Sequence, residues 1–590
     1  MTMRVVEDPM NIRGKSPWVD ETDRRWLRLD ANECIGADPL PGSDSSGIPA
    51  GAERYPDVRR LERVIANRQG VDSDRIVATA GADDAIDRIA AACLGPGSSV
   101  LVAEPTFGMI RRFAIARGAS IASIPWMSGR FPINRFAEEA GDIDLVALVT
   151  PNNPTGLSID VERLMAFRMV APDPVLLIDL AYVEFGCESS GTPVAEVVDL
   201  LRWMPKTILV RTMSKAWGLA GKRIGWAETD PELASGIRSA GGPFAIATDS
   251  IESGCRVLED ARSEVEVAWR TRCVAIHRED VRRILESNRL DAGESVANFL
   301  LVSDPLDEGR AEWLADGLGG LDVAVRRFEE PCLDQRVRIT VPVGSDQQER
   351  LISSISTVLD PQAILFDLDG VLADVRGSYR ATIRRTAEWF GGDVDDSDID
   401  RIKMQGCAND DWEVTRRLLA QCDIDVPISM VVDRFQEIYL GSSEEEGLRR
   451  FERSFVDGRE LRSVVGTRMI GIVTGRPRAE AEWFLERSGL DSIVDLLVAR
   501  EDAPLKPDPN GIRMAMTDLD VTDAWFFGDT IDDVRAARNL ETRRVLPIGI
   551  DPRRDVRIGV DPAGRLIDAG AARVIRAGRP MIDFIEEVLS

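Results

Sequence analysis

RTMSKAWGLAGKRIG, residues 211–225, follows the apolar run KTILV, which reads as a buried strand. It holds two of the chain's six lysines, in a chain of 73 basic residues that are almost all arginine. Arginine stays protonated and is a poor nucleophile, whereas a desolvated lysine amine can condense with an aldehyde. Lys215, directly after the strand, is the candidate for that chemistry. A lone Ser-Lys at a strand end also reads as a solvated surface lysine, so the choice falls to its surroundings. Lys222, beside Arg223, reads as a rim residue.

Working outward, DRIVATAG, SSVLVAEP, IDLVALVTP and PVLLIDLAY read as further buried strands. Helical stretches such as ADDAIDRIAAACL and DVERLMAFRMV lie between them. This alternation is the α/β signature of a largely parallel sheet. A second strand series, QAILFDLDG, RMIGIVTG, DAWFFGD and RRVLPIGI, begins near VLDPQAILF, which sets a boundary close to Asp360 and Pro361. No long linker, internal repeat or low-complexity stretch is visible.

At 590 residues the chain is too long for one ordinary core. No run is apolar and long enough to span a membrane, and the first residues lack the apolar core of a signal peptide, so a cytoplasmic protein is expected. The eight cysteines form no C-x-x-C pair, and the single histidine, His277, sits in a helical pattern. A zinc site or a disulfide framework is therefore not expected. A net charge of −27 argues against a nucleic-acid partner, which needs a basic footprint. The acidic excess, with arginine in place of lysine, is what a salt-accumulating halophile would use to keep its surface hydrated.

Ordered blocks decide between the two readings of Lys215. LDANE, RYPD, GADDAID, PTFGM, TPNNPTG, IDLAYVEF, RTMSKAWGLAGKRIGW and VRITV occur in that order. Together they resemble the fold type I pyridoxal-phosphate aminotransferases (class I/II), and most nearly the histidinol-phosphate aminotransferases, over residues 1–358. The resemblance implies a large parallel-rich sheet domain with a small α/β domain. It implies that Lys215 forms the Schiff base with pyridoxal 5'-phosphate and that Asp179 pairs with the pyridinium nitrogen. Gly81, Ala82 and Asp83 open a helix suited to the cofactor phosphate, with Ser214 and Arg223 completing the cradle. Phe107 would stack on the ring, while Asn153 and Tyr182 would bond its phenolic oxygen. Arg338 would bind a substrate carboxylate bidentately, and Arg326, Arg327 or Arg338 could grip a substrate phosphate. Tyr55 resembles the residue that reaches the phosphate from a neighbouring subunit, which implies a homodimer. Three positions depart from the pattern. Cys34 stands where proline is usual, and Leu180 where glutamate is frequent. Asn11 holds the aligned place of a tyrosine that helps recognise a phosphorylated substrate.

ILFDLDGVL places Asp367 and Asp369 at the end of an apolar strand, on one side of it. Two carboxylates so close call for a cation or a shared proton. A polar turn would leave the same trace. Three later pieces join it: Thr474 in GIVTGRP, Lys506 in LKPDP, and Asp529 and Asp533 in FFGDTIDD. In this order they resemble the haloacid dehalogenase superfamily (subfamily IA) over residues 362–590, a Rossmann-like domain with a helical cap at about 378–460. The resemblance implies that Asp367 attacks phosphorus and Asp369 acts as acid and base, with Thr474 and Lys506 on the phosphoryl oxygens. It also implies Mg²⁺ held by Asp367, the backbone of Asp369, Asp529 and Asp533.

The expectation is a bifunctional transaminase and phosphatase acting on a small phosphorylated amino compound such as histidinol phosphate, with 2-oxoglutarate or glutamate as its amino partner. Three alternatives stay open. The aminotransferase could serve another amino acid beside an unrelated phosphatase. The first domain could be a phosphoamino-acid decarboxylase. One domain could be a catalytically dead interaction module.

Overall fold

The computed structural model describes residues 56–589 apart from 243, 307, 404, 407–408, 443–445, 542–543 and 553–561, together with Leu27 and Arg28. The chain divides into two compact units, Met1–Ala311 with Ala324–Ile352, and Glu312–Val323 with Ser353–Ser590.

The first unit is built on a seven-stranded sheet. Its order is Ile76–Thr79, Gly225–Glu228, Thr207–Thr212, Val175–Asp179, Leu145–Val149, Ser99–Glu104 and Ser120–Pro125. Gly225–Glu228 runs antiparallel to both neighbours, and the other pairings are parallel. The central strands are buried from end to end, as a sheet covered on both faces requires. Their side chains alternate between two cores. Val146, Leu148, Leu176, Ile178 and Leu209 fill one, while Leu145, Ala147, Val149, Leu177, Ile208 and Val210 fill the other. The unbroken apolar runs of the sequence are thus two faces written into one segment. Parallel alignment brings Asp179 and the segment after Thr212 to the same carboxyl edge, where open α/β sheets place their ligands. A smaller antiparallel sheet joins Phe299–Val302, Val337–Thr340 and Arg326–Arg327.

The second unit carries a six-stranded parallel sheet. Its order is Leu496–Val498, Met469–Val473, Ala363–Phe366, Ala524–Gly528, Val545–Asp551 and Val574–Arg576. Asp367 follows a central strand, and its N–H donates to the Phe527 carbonyl at 2.8 Å. Between the strands Ala373–Asp374 and Arg453–Ser454, which pair antiparallel, lie helices Tyr379–Trp389, Asp396–Lys403, Asp411–Gln421 and Ile428–Leu440. Trp313, from the upstream segment that belongs to this unit, packs edge-on against Trp525 and Phe584, with ring centroids 5.4 and 4.8 Å away. Among the described residues no helix is long and apolar enough to cross a membrane.

Candidate active sites

In the first unit the strand Val175–Asp179 delivers Asp179 to the carboxyl edge at 3% exposure. Asp179 accepts a hydrogen bond from the Ala181 N–H at 2.9 Å. Burial pushes its carboxyl up to about 7; the Ala181 bond and Lys215 oppose the rise, and Asp83 adds to it. A carboxylate so raised fits a group that brings its own positive charge. Lys215 lies in the segment after Thr207–Thr212, with its Nζ 5.6 Å from the Tyr182 ring centroid. Tyr182 is itself buried and packs edge-on to Phe299 at 5.3 Å. The Lys215 segment is anchored from behind. Glu184 Oε1 accepts from Arg211 Nη2 at 2.8 Å and from Trp217 Nε1 at 3.0 Å, and Arg270 Nη1 donates to the Trp217 carbonyl at 3.1 Å.

Beside these groups the helix Ala82–Cys93 begins at Gly81, whose φ of 87° lies in the left-handed region. A Cβ on Gly81 would come within 2.4 Å of Arg223 Nη2, so glycine is what lets the arginine lie across the helix start. Arg223 Nη1 reaches Ser214 Oγ at 3.4 Å, and Nη2 reaches Asp83 Oδ2 at 3.4 Å. Ser214, Arg223 and the helix N-terminus therefore lie together where they could cradle an anion, with Asp83 beside the arginine. Phe107 caps the helix Gly108–Ala116 and packs against one of the two sheet cores.

Arg338 Nη1 donates to Asn153 Oδ1 at 2.6 Å, and its guanidinium lies 5.2 Å from the Phe299 ring centroid. Arg326 is the cross-strand partner of Arg338, which puts both side chains on one face of the small sheet and Arg327 on the other. Lys222, read as a rim residue, and His277, read as a helix residue, both make ordinary structural contacts. Lys222 pairs with Asp249 at 3.1 Å, and His277 Nδ1 meets the Pro342 carbonyl at 2.9 Å. Tyr55, Asn11 and Cys34 lie outside the described residues. The site offers an amine, an anion cradle, a buried carboxylate and aromatic walls. It could hold a phosphorylated aromatic aldehyde with a protonated ring nitrogen.

In the second unit single oxygens of Asp367, Asp529 and Asp533 lie within 4.8 Å of one another, an all-oxygen donor set suited to a hard cation. Burial pushes Asp367 up to about 7, with Asp533 and Asp369 adding to the rise and Lys506 opposing it. Burial, Asp533 and Asp367 hold Asp529 well above the usual carboxylate range, against Lys403 and Arg380. The cluster is short of positive charge, which a divalent ion would supply. Lys506 Nζ bridges Asp367 Oδ1 at 2.5 Å and Asp533 Oδ1 at 2.6 Å, and donates to the Val473 carbonyl at 3.1 Å. Asp533 Oδ2 accepts from the N–H and Oγ1 of Thr530 at 2.9 and 2.6 Å, closing a capping box on the helix Ile531–Arg538. Asp533 is thus committed to holding Lys506 and the helix start. Gly370 and Gly528 make room for the acids, since a Cβ there would meet Asp529 Oδ2 at 2.1 Å and Asp533 Cβ at 2.2 Å. Thr474 is buried, and its Oγ1 accepts from the Arg476 N–H at 3.2 Å. Asp369 stands apart from the cation cluster. Its Oδ1 takes the Nε–H of Arg476 at 2.7 Å as well as a donor from Nη2. Sequence reading passed over Arg476, although it lies two residues after Thr474.

A lysine amine, a buried carboxylate and an anion cradle at one sheet edge, with a carboxylate cluster and bridging lysine at another, define a two-site enzyme of the group-transfer and hydrolase classes. The family described as aminotransferase class I and II matches residues 48–355, and that described as haloacid dehalogenase-like hydrolase matches residues 364–546. The chain belongs to the class I and II aminotransferase family and continues into a haloacid dehalogenase-like hydrolase domain. It is 29% identical over 342 residues to the histidinol-phosphate aminotransferase of Maricaulis maris (strain MCS10), spanning 56% of this chain and 92% of that one. To the enzyme of that name from Chlorobium phaeovibrioides (strain DSM 265 / 1930) it is 35% identical over 314 residues, 52% of this chain and 82% of that one. Among solved structures, the histidinol-phosphate aminotransferase from Sinorhizobium meliloti in complex with pyridoxal-5'-phosphate superposes with a TM-score of 0.51 at 24% identity. That match covers 56% of this chain and 90% of the other, a likeness of fold.

Proposed function

We propose that the first unit binds pyridoxal 5'-phosphate and transaminates a small phosphorylated amino compound, with histidinol phosphate as first candidate. The second unit, with Mg²⁺, removes the phosphate from the same skeleton. When bound, pyridoxal phosphate supplies an electron sink beside the substrate nitrogen. Asp179 keeps the ring nitrogen protonated, Tyr182 and Asn153 hold the phenolic oxygen, and Phe107 covers the ring. Gly81, Ala82, Ser214 and Arg223 hold the phosphate. Lys215 anchors the cofactor and then moves a proton at the substrate's reacting carbon. The Arg338–Asn153 bond of 2.6 Å ties the substrate's anionic end to the ring's position.

In the second unit Asp367 attacks phosphorus, and its new O–P bond replaces the ester bond as Asp369 gives the leaving oxygen a proton. Water then attacks, Asp369 takes its proton, and the Asp367–phosphorus bond breaks to release inorganic phosphate. Thr474 and Lys506 hold the phosphoryl oxygens, and Asp367, Asp529 and the Asp369 backbone would hold Mg²⁺ with Asp533 behind them.

The observation that carries the pairing is that one chain joins an aminotransferase-family site, with Arg326 and Arg338 on one face, to a carboxylate cluster of phosphatase type. Two guanidiniums on one face suit a phosphate in one half-reaction and a dicarboxylate such as glutamate or 2-oxoglutarate in the other. The same reading makes the protein a cytoplasmic homodimer with Tyr55 serving the neighbouring site, and its charge a salt adaptation. A panel of phosphorylated amines with 2-oxoglutarate as acceptor, followed by mass spectrometry, tests it. Glutamate with the carbonyl form of the donor amine, and inorganic phosphate from the same skeleton, are expected; transamination confined to unphosphorylated amino acids would defeat it.

A further inference from the structure

Arg476 is buried to 1% side-chain exposure in the second unit, and the environment around it is built in detail. One edge of its guanidinium, Nε and Nη2, converges on Asp369 Oδ1, while Nη1 meets Glu452 Oε2 at 2.9 Å. Glu452, at 0% side-chain exposure, neutralises the arginine, so Asp369 faces a pair of no net charge. Among the described residues Asp369 Oδ2 takes no hydrogen bond, which leaves that oxygen for proton exchange. The guanidinium lies 4.6 Å from the Tyr379 ring centroid and 5.4 Å from that of Phe484. Two bonded contacts and two ring faces fix its rotation.

The groups that hold this arginine come largely from the helical insertion. Tyr439, on Ile428–Leu440, donates to Glu452 Oε1 at 3.0 Å. Tyr379, on Tyr379–Trp389, donates to Glu480 Oε2, and Gln436 Nε2 donates to Glu480 Oε1 at 2.9 Å. Two of the chain's four tyrosines stand here, so single-hydroxyl deletions can probe this place alone. A buried guanidinium is tolerated only when its partners are in place, so displacing the two helices would release it.

We propose that Arg476 is a positioning residue for Asp369, and that the insertion, through Tyr379, Gln436 and Tyr439, sets where Arg476 holds it. The inference rests on the phosphatase reading above. It makes acid and base function in the second site conditional on the seating of the helices, separately from the Asp367–Lys506 grip on the phosphoryl group.

The test uses the full chain with MgCl₂ and two probes, an alkyl ester (β-glycerophosphate) and p-nitrophenyl phosphate, whose acidic phenol leaves with little help from an acid. Arg476→Gln with Glu452→Gln removes the ion pair without leaving either charge alone. Turnover of the alkyl ester should fall by about 100-fold, as for loss of a positioned acid and base, with KM little changed. With p-nitrophenyl phosphate the variant should release one equivalent of phenol in a burst and then stall, because water attack on the Asp367-bound phosphoryl group still needs the base. Asp369→Asn should give the same signature, and Arg476→Lys should recover part of the alkyl-ester rate. If the double variant does not fold, Tyr439→Phe decides, since it loosens Glu452 and should lower the ratio of the alkyl to the aryl rate in the first step, release of the alcohol or phenol, measured before the second step limits turnover. A folded double variant, or a Tyr439→Phe variant, with the wild-type ratio and no burst would overturn the proposal. A wild type that hydrolyses neither ester removes the phosphatase reading itself, a result distinct from an active wild type with an indifferent variant.

Discussion

Replacing Asp179 by Asn should stabilise the cofactor-free protein at pH 8 while abolishing transamination. In the folded chain burial pushes this carboxyl from its usual 3.8 up to about 7. Below pH 3.8 both folded and unfolded states hold the proton, and nothing is lost. Between pH 3.8 and 7 the unfolded chain releases the proton and the fold keeps it, so stability falls as pH rises. Above 7 the loss is complete, at about 4 kcal/mol from 1.4 kcal/mol per pH unit. Asn can keep the Ala181 N–H bond and the volume of Asp, and it does not titrate. The assay is thermal unfolding of cofactor-stripped wild type and Asp179→Asn from pH 5 to 8, taking the transition that shifts when pyridoxal phosphate is added. The variant should gain on the wild type as pH rises, by roughly 5–10 °C at pH 8, at about 2 °C per kcal/mol. Asp367, Asp529 and Glu228 are also raised by burial but are common to both proteins, so they cancel in the difference. Adding pyridoxal phosphate should reverse the order, because only Asp179 can pair with a ring cation. Parallel melting profiles across the range would refute the reasoning.

Lys215→Arg keeps the charge and should lose both transamination and the visible absorbance that borohydride bleaches, with phosphate release untouched; absorbance spectra and paired assays check it. Asp367→Asn, or chelation of divalent ions, should abolish phosphate release and leave transamination intact, and equal loss of both activities would contradict two separate sites. A chain of net charge −27 repels itself when unscreened, at a Debye length of about 30 Å in 0.01 M salt, so its melting temperature should rise from dilute buffer to molar KCl. A flat profile there would remove the salt-adaptation reading.

The candidate residues of both sites stood out in the sequence by residue type and place. Lys215 stood out because arginine surrounds it, and Asp367 and Asp369 because two acids close an apolar strand. The parallel sheets were legible because strands buried on both faces read as unbroken apolar runs. What depends on three-dimensional register was not. Arg326 and Arg327 are adjacent letters, and only the pairing Arg326↔Arg338 assigns them to opposite faces. Asp533 reads as one more acid of a metal motif, and only its contacts with Thr530 and Lys506 show how it is engaged. Arg476 stayed hidden because its partners Asp369 and Glu452 lie 107 and 24 residues away, beyond any local pattern. The helices of residues 379–440 announce themselves by periodicity, but Tyr379 and Tyr439 look like ordinary core positions until Glu480 and Glu452 are seen beside them.

The central claim is that one phosphorylated amine serves both sites of one chain. The measurement that tests it most directly is kcat/KM at each site for imidazole-acetol phosphate, histidinol phosphate and histidinol. The account predicts that transamination strongly prefers the phosphorylated forms, and that phosphate release prefers one member of the same pair over unrelated esters. Preferred substrates with no common skeleton at the two sites would contradict it.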